Sequence, residues 1–212
     1  MAKQANTHPA WGFLEDLYGR CPKGLGCVEI RVKANDGPIV ERDWVYAEER
    51  IKEMVDDHKA PGKRRAVYFG VARRNRGSEA GRKEDVAVIP ALYADIDTKK
   101  LGWNDEDVVK RLHRLPAPIG PSAIVHSGGG LHLYWLLTDV VDLSGENNEG
   151  RTRSIKQFER VNRLVQAVMT SDPVHDITRV LRLPGSTNSK SGKASDANKV
   201  ETIYFHNWRH AT

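Results

Sequence analysis

Residues 91–97 of this 212-residue chain read ALYADID, and we expect the fold to be organised around them. The stretch is apolar until it reaches Asp95 and Asp97, and side chains two positions apart on a β-strand point to the same face. Two carboxylates that emerge together from a buried strand end repel each other unless cations neutralise them. Mg²⁺ or Mn²⁺ is the expected partner, because hard divalent ions prefer carboxylate oxygens and leave coordination positions for phosphates. The alternative is a strand that runs into a turn, with Asp97 capping the next element.

A second informative stretch, residues 125–137, reads VHSGGGLHLYWLL. Three successive glycines at 128–130 let the backbone approach a ligand closely or adopt positive φ, and their amides can hold phosphate oxygens. A plain hairpin turn also explains the glycines, and a single histidine such as His132 often belongs to a core. Because Ser127, the glycines and His132 occur together, we favour a phosphate-binding turn.

A third stretch, residues 171–190, reads SDPVHDITRVLRLPGSTNSK. Asp172 and Asp176 add two carboxylates, and the residues that follow supply cations and an amide: Arg179, Arg182, Asn188 and Lys190. Acids for a metal followed by cations for a triphosphate are what phosphoryl or nucleotidyl transfer needs. An ordinary strand with ion-paired flanks is the alternative.

The whole-chain totals set broad limits on function. Lys and Arg number 33 against 28 Asp and Glu, a net charge of +5, which favours polyanionic partners without requiring them. Cys21 and Cys27 lack further Cys or His ligands nearby, so we expect free thiols in a reducing compartment, with a disulfide or a shared metal site as the alternative. The amino terminus lacks a signal-peptide core, and no apolar run is long enough to cross a bilayer. We therefore expect a cytoplasmic protein with no membrane partner.

Hydrophobic periodicity predicts a mixture of helices and strands. We expect helices over 11–18 and 47–58, a helix starting at Asn104, a long helix after residue 152, and strands over 27–32, 66–72, 91–97, 122–126 and 199–205, with further strand beyond the glycines. The long helix is expected to bury an apolar stripe made of Ile155, Phe158, Val161, Leu164, Val165, Val168 and Met169.

Residues 73–85, RRNRGSEAGRKED, carry five Lys or Arg and no apolar anchor, which predicts a mobile loop. Such a loop can close on a nucleic-acid backbone through Arg73, Arg74 and Arg76, and a merely solvated loop is the equal alternative. Tyr134 and Trp135 are candidates for stacking on a single strand.

Taken in order, the three stretches resemble the catalytic domain of the archaeo-eukaryotic primase superfamily, especially its plasmid- and phage-encoded primase-polymerase branch. The resemblance covers about residues 60–200 and rests on ALYADID, then SGGGLHLYW, then DPVHDITRVLRLPGSTNSK. It implies an α+β fold in which an RRM-like antiparallel sheet forms a catalytic lobe at about residues 86–205. An amino-terminal α/β lobe at about residues 10–85 is expected to pack beside it within a single catalytic domain.

The resemblance also implies roles for individual residues. It implies a catalytic two-metal site for Mg²⁺ or Mn²⁺ held by Asp95, Asp97 and a third acid. We assign that acid to Asp172 from its interval before the Arg-Leu-Pro segment, with Asp176 as the rival. Nucleotide binding is implied for Ser127, Gly128, Gly129, Gly130, His132, Arg182 and Lys190, with Arg179 and Asn188 as further candidates.

The implied activity is that of a DNA primase-polymerase, a nucleotidyltransferase that makes or extends primers in plasmid or phage replication. Its partners would be a single-stranded DNA template and an NTP or dNTP. Family members often carry a zinc-binding insertion and a carboxy-terminal helicase or helical domain. Neither is visible in this sequence, so we expect the chain to be a fragment of a larger replication protein or to act with a replicative helicase or an additional carboxy-terminal domain.

Two other classes of function remain open from the sequence. A replication initiator or single-strand-binding module with the same fold would bind DNA and polymerise nothing. A metal-dependent nuclease fits the carboxylates but leaves the triphosphate-type cations without a role.

Overall fold

The computed structural model describes residues 9–34, 37–46, 48–59, 65–75, 77, 81–116, 119–188 and 201–204. Its helices are α1 (Pro9–Tyr18), α2 (Glu48–Lys59), α3 (Thr98–Leu101), α4 (Asp105–His113) and α5 (Asn148–Val168). Its strands are β1 (Val28–Ala34), β2 (Ile39–Val45), β3 (Arg65–Gly70), β4 (Arg73–Arg74), β5 (Val86–Ile96), β6 (Ala123–His126), β7 (Leu131–Asp142), β8 (Val180–Arg182) and β9 (Glu201–Tyr204). This combination of helices and antiparallel strands confirms the predicted α+β class.

The strands form two antiparallel sheets. The first has the strand order β2-β1-β3-β8, and the second has the order β4-β5-β7-β6-β9. β8 comes late in the chain yet pairs with β3, whereas β4 comes early and pairs with β5. Two strands therefore cross between the expected sub-lobes of residues 10–85 and 86–205, and the division itself stays a prediction.

The second sheet follows a βαββα order through β5, the short helices α3 and α4, β6, β7 and α5. The next strand, β8, pairs in the first sheet, and β9 pairs with β6. The finer RRM-like assignment stays a prediction.

Aromatic packing joins the two sheets through α1. Phe13 of α1 lies edge-on to Phe69 of β3, with ring centroids 5.5 Å apart, and to Tyr134 of β7, at 5.2 Å. All three rings are buried in one apolar core that also includes side chains of α2 and α5. Edge-to-face pairs add to the burial of their large apolar surfaces, so the sheets are held together by a shared core.

β2 is a strand that the sequence-based prediction missed, because only a turn was expected before α2. Its first two residues, Ile39 and Val40, are exposed, and Val45 is its one buried residue. Backbone pairing with β1 holds β2 at the sheet edge. An edge strand with so little burial has no apolar alternation for periodicity to detect.

The prediction of a mobile loop over residues 73–85 is wrong at both ends of that segment. Arg73 and Arg74 form β4, and Lys83–Asp85 form a 3₁₀ turn. Arg74 is fully buried and pairs with the buried Glu29. Residues 76 and 78–80 of this segment lie outside the described residues.

The buried face of α5 also differs from the predicted apolar stripe. Val161, Leu164 and Val168 are exposed, whereas Phe158, Asn162 and Gln166 are buried. The buried side of α5 therefore includes two polar side chains, and both of them form hydrogen bonds with the backbone of β5.

The cysteines and the helices were both the subject of predictions about the environment of the chain. Cys21 and Cys27 are free and buried, which confirms the expected free thiols. In the part of the chain that the structure describes, no helix has both the length and the apolarity to cross a bilayer.

Candidate active site

The end of β5 carries two acids into a cleft. β5 is buried along most of its length and ends at Ile96, and both Asp95 and Asp97 line the cleft. Asp97 is also the N-cap of α3, where its Oδ1 accepts a hydrogen bond of 2.9 Å from the backbone N–H of Lys100. The two interpretations of the sequence are therefore compatible, because a capping carboxylate keeps lone pairs on its second oxygen.

A third acid is attached to the same strand end. The backbone N–H of Asp172 donates to the carbonyl oxygen of Asp95 at 2.9 Å, and the Asp172 side chain lines the cleft. Its Oδ1 lies 3.4 Å from Nζ of Lys100. The rival, Asp176, instead accepts hydrogen bonds from the backbone N–H and the hydroxyl of Thr178 and does not line the cleft. The structure brings Asp172, not Asp176, to Asp95.

α5 supports β5 along the edge that β4 leaves unpaired. Asn162 accepts a hydrogen bond of 2.9 Å from the Tyr93 N–H, and Gln166 donates one of 3.3 Å to the Tyr93 carbonyl. Both amide side chains are buried, so they replace a neighbouring strand for Tyr93. This pairing explains the polar face of α5, and it fixes the backbone two residues before Asp95.

The glycine turn packs directly on the acidic strand end. Ser127 closes the turn, since both its N–H and its hydroxyl donate to the Gly130 carbonyl, at 2.9 and 3.0 Å. Gly128 has φ +80°, a conformation that favours glycine. A Cβ added at Gly130 would lie 2.0 Å from the carbonyl oxygen of Ile96. The turn therefore needs glycine at 130 to sit against the acids.

His132 lies directly across the sheet from Asp95. The two residues are register partners on β7 and β5, and Nε2 of His132 lies 3.6 Å from Oδ1 of Asp95. Burial lowers the pKa of His132 to about 4, against the opposing effect of Asp95, and Arg182 and Arg179 lower it further. His132 is therefore neutral at pH 7, and its buried Nδ1 has no hydrogen-bond partner among the described residues. A neutral ring at this position can donate to or accept from a ligand in the cleft.

Cations and an amide from the third stretch complete the cleft. Nη2 of Arg179 lies 3.6 Å from Oδ2 of Asp95. Arg182 donates to the Tyr68 hydroxyl at 3.2 Å, and Asn188 donates to the Ser127 carbonyl at 3.0 Å. All three residues line the cleft, their nucleotide-binding roles stay predictions, and Lys190 lies outside the described residues.

The cleft has a volume of about 1110 Å³. Four polar or charged residues that the sequence argument did not single out also line it, namely Lys33, Tyr68, Lys99 and Lys100. The pair Lys99-Lys100, one residue after ALYADID, was a usable signal, because cations near the acids suit a phosphate ligand. Lys33 and Tyr68 come from β1 and β3, and their approach to the acids depends on the pairing of β8 with β3.

Two of the nucleic-acid contacts predicted from single residues, those of Arg74 and Tyr134, need correction. Arg74 and Tyr134 are fully buried, the first by its ion pair and the second in the core, so neither is available to a strand. Arg73 donates to the Gly26 carbonyl at 2.8 Å, and the indole N–H of Trp135 donates to a backbone carbonyl at 2.9 Å. Neither lines the cleft. Arg76 lies outside the described residues.

Asp95, Asp97 and Asp172 are the candidate ligands for a divalent ion in the cleft. Among the side chains that the structure describes, no group of three His, Cys, Asp or Glu is arranged to hold a metal ion. Mg²⁺, however, is commonly bound by one or two carboxylates together with water and substrate phosphates. Asp95 and Asp97 at the cleft wall fit that kind of site.

Comparisons with known proteins give two similarities. No family model matches the chain. The chain is 29% identical over 118 residues to a replication protein of Clostridium perfringens, a match that covers 52% of this chain and 26% of that protein. Among solved structures it is similar to the crystal structure of primase RepB′, with a TM-score of 0.47 and 19% identity, covering 89% of this chain and 55% of the primase chain. The chain thus spans about a quarter of the replication protein and about half of the primase.

Proposed function

We propose that this chain catalyses template-directed nucleotidyl transfer, as a primase-polymerase that makes or extends primers in plasmid or phage replication. One observation carries the proposal. Asp95 and Asp172, which are distant in sequence, are joined by a backbone hydrogen bond in a cleft that also contains the glycine turn and His132. This is the set of groups that a triphosphate and an attacking hydroxyl require.

In this proposal, Asp95, Asp97 and Asp172 hold Mg²⁺ or Mn²⁺ together with phosphate and water oxygens. When bound, two such ions would lower the pKa of the attacking 3′-hydroxyl and neutralise charge on the leaving pyrophosphate. Lys100, 3.4 Å from Asp172, neutralises part of the acidic charge when no ion is bound. The protein's own contribution is to hold the acids at fixed positions on β5 and its unpaired edge.

The triphosphate would lie between the glycine turn and the basic side chains. Backbone amides of the turn and the neutral ring of His132 are donors to phosphate oxygens. Arg179 and Arg182 also line the cleft and supply positive charge. Guanidinium groups suit this role because they bind phosphate through two parallel hydrogen bonds. Loss of these groups should raise the KM for nucleotide more than it disturbs folding.

The similarity to a replication protein is in keeping with a role in DNA replication. The same cleft in a protein that only binds single strands would keep the basic residues but have no need of Asp95, Asp97 and Asp172 along its wall. The arrangement of the acids is therefore the reason to prefer catalysis over binding alone.

The experiment that tests the proposal is incubation of the protein with a primerless single-stranded template, Mn²⁺ or Mg²⁺, and labelled NTPs or dNTPs in separate reactions. The proposal predicts labelled products that require template and metal, and product length separates priming from extension. Strong DNA binding with no incorporation on either a primed or an unprimed template would favour the binding module. Degradation of labelled DNA without added nucleotides would favour a nuclease.

A further inference from the structure

Lys100 contacts two of the three candidate metal-binding acids. Its backbone N–H donates to Oδ1 of Asp97 at 2.9 Å, the hydrogen bond that caps α3. Its side chain extends to Asp172, where Nζ lies 3.4 Å from Oδ1. All three residues line the cleft. One lysine therefore connects the end of β5 with the segment after α5 that carries the third acid.

Asp172 and Asp95 are each paired with a different cation. Among the described residues, Lys100 is the only side chain within ion-pair distance of the Asp172 carboxylate. Asp95 has Arg179 instead, whose Nη2 lies 3.6 Å from Oδ2 of Asp95. Opposite charges at this range favour the ionised form of each acid and reduce the cost of placing the two acids close together.

The pair of Lys100 with Asp172 is the more exposed of the two. The side chain of Lys100 is 70% exposed and that of Asp172 is 42% exposed, whereas the Arg179 and Asp95 side chains are 35% and 23% exposed. Water screens exposed charges, so an ion pair of this kind is weakly held. A divalent ion at the Asp172 carboxylate carries twice the charge of the ammonium group and displaces it.

An ammonium group displaced from Asp172 stays inside the cleft. The bond between Lys100 and Asp97 involves the lysine backbone, so it holds the start of the side chain in place while Nζ moves. Lysine carries a compact point charge on a flexible four-carbon stem and commonly binds phosphate. The glycine turn, which is the proposed phosphate site, lines the same cleft. The phosphates of a nucleotide are therefore the anions that Lys100 meets after it leaves Asp172.

The neighbouring Lys99 provides an internal comparison. Its Nζ donates to the carbonyl oxygen of Gly128 at 3.2 Å, a neutral acceptor in the glycine turn. Within the part of the chain that the structure describes, no carboxylate lies within ion-pair distance of Lys99. The two lysines are adjacent in sequence and line the same cleft, but only Lys100 competes with a metal ion for an acid.

We propose that Lys100 is the built-in counter-ion of Asp172, that a divalent ion displaces it, and that its ammonium group then binds the phosphates of the nucleotide. This inference rests on the proposed function, because it takes a metal ion and a nucleotide as the ligands of the cleft. Removing the Lys100 charge should have opposite effects on these two ligands. The metal ion gains affinity because its competitor is lost, and the nucleotide loses affinity. Damage to the fold would weaken the binding of both.

The test compares the wild type with Lys100→Met, Lys100→Arg and Lys99→Met, each checked for folding by circular dichroism. Binding of Mn²⁺ alone is measured by electron paramagnetic resonance, and binding of a fluorescent, non-hydrolysable nucleoside triphosphate is measured at saturating Mn²⁺. We expect Lys100→Met to bind Mn²⁺ about fivefold more tightly and the nucleotide about fivefold more weakly. Lys100→Arg keeps the charge, and Lys99→Met removes one that pairs with no acid. Both should stay within about twofold of the wild type for Mn²⁺.

The outcomes separate this inference from the proposed activity. If Lys100→Met binds Mn²⁺ as the wild type does, if Lys99→Met gains as much Mn²⁺ affinity, or if none of the proteins binds Mn²⁺, the inference is wrong even if the wild type incorporates nucleotides. It is also wrong if Lys100→Met loses affinity for both ligands or binds the nucleotide unchanged. If the opposite shifts are found but the wild type incorporates nothing, the inference stands and the proposed catalysis fails.

Discussion

The backbone N–H of Asp172 donates to the carbonyl oxygen of Asp95 at 2.9 Å. This bond attaches the segment after α5 to the edge of β5 that carries the first acid. It is a main-chain contact, so it places Asp172 beside Asp95 without depending on either carboxylate. The fold therefore brings the two residues together, and both side chains line the cleft.

The two candidate third acids should behave differently when each is changed to asparagine. Asp172→Asn should lower metal-dependent nucleotide incorporation at least a hundredfold, because Asp172 faces the cleft. Asp176→Asn should keep incorporation within a fewfold of the wild type and destabilise the fold by about 1 kcal/mol through its bonds to Thr178. Single-turnover incorporation and urea unfolding measure the two effects. The reverse pattern would make Asp176 the functional acid.

Removing the amides that support β5 should loosen the acidic edge. Asn162→Ala and Gln166→Ala each leave a backbone group of Tyr93 buried without a partner, which costs about 1–3 kcal/mol. Gln157→Ala, on the exposed side of the same helix, is the matched control and should change the free energy of unfolding little. Urea unfolding followed by circular dichroism measures all three. Equal stability of Asn162→Ala and the control would contradict the role assigned to α5.

A methyl group at position 130 should push the glycine turn away from the acids. Its Cβ would lie 2.0 Å from the Ile96 carbonyl oxygen, a backbone atom that can move only with β5. We expect Gly130→Ala to cost about 1–3 kcal/mol of stability and to raise the KM for nucleotide at least tenfold. Gly145→Ala, where a Cβ meets nothing within 4 Å, is the control. An unchanged KM in Gly130→Ala would show that the turn does not hold phosphate.

Burial of neutral His132 predicts a loss of stability in acid. In the unfolded chain its pKa is near 6.5, and in the folded protein burial lowers the pKa to about 4. Between these values the unfolded chain binds more protons, so the stabilisation is complete above about pH 6.5 and is lost as the pH falls toward 4. The contribution is on the order of 3 kcal/mol. Urea unfolding from pH 7 to pH 4 should show a steeper decline for the wild type than for His132→Gln, and parallel declines would contradict this account.

The segments that line the cleft could be predicted from the sequence. The long-range hydrogen bonds that bring these segments together could not. ALYADID, the glycine turn and the third stretch are local patterns, and each occupies the element or turn that its composition indicates. The convergence of Asp172 with Asp95, however, depends on a backbone bond between distant segments. The resemblance to a known family, not periodicity, was what suggested that these acids meet.

The structural features that the sequence did not predict have a common physical origin. Arg74 looked like a solvated loop residue because its partner, Glu29, lies on a strand far earlier in the chain. Asn162 and Gln166 broke the expected apolar stripe of α5 because they serve an unpaired strand edge that no local pattern reveals. Polar residues buried by distant partners are therefore the part of this fold that local patterns could not predict.

The central claim is that Asp95 and Asp97, at the end of β5, hold the divalent ions needed for nucleotidyl transfer. The most direct measurement is metal-dependent incorporation of labelled nucleotide on a single-stranded template by the Asp95→Asn, Asp97→Asn double variant, beside an Asp56→Asn, Asp57→Asn control on the exposed side of α2. The account predicts no incorporation by the first, wild-type incorporation by the second, and a folded circular dichroism spectrum for both. Metal-dependent synthesis that persists in the folded Asp95, Asp97 variant would contradict it.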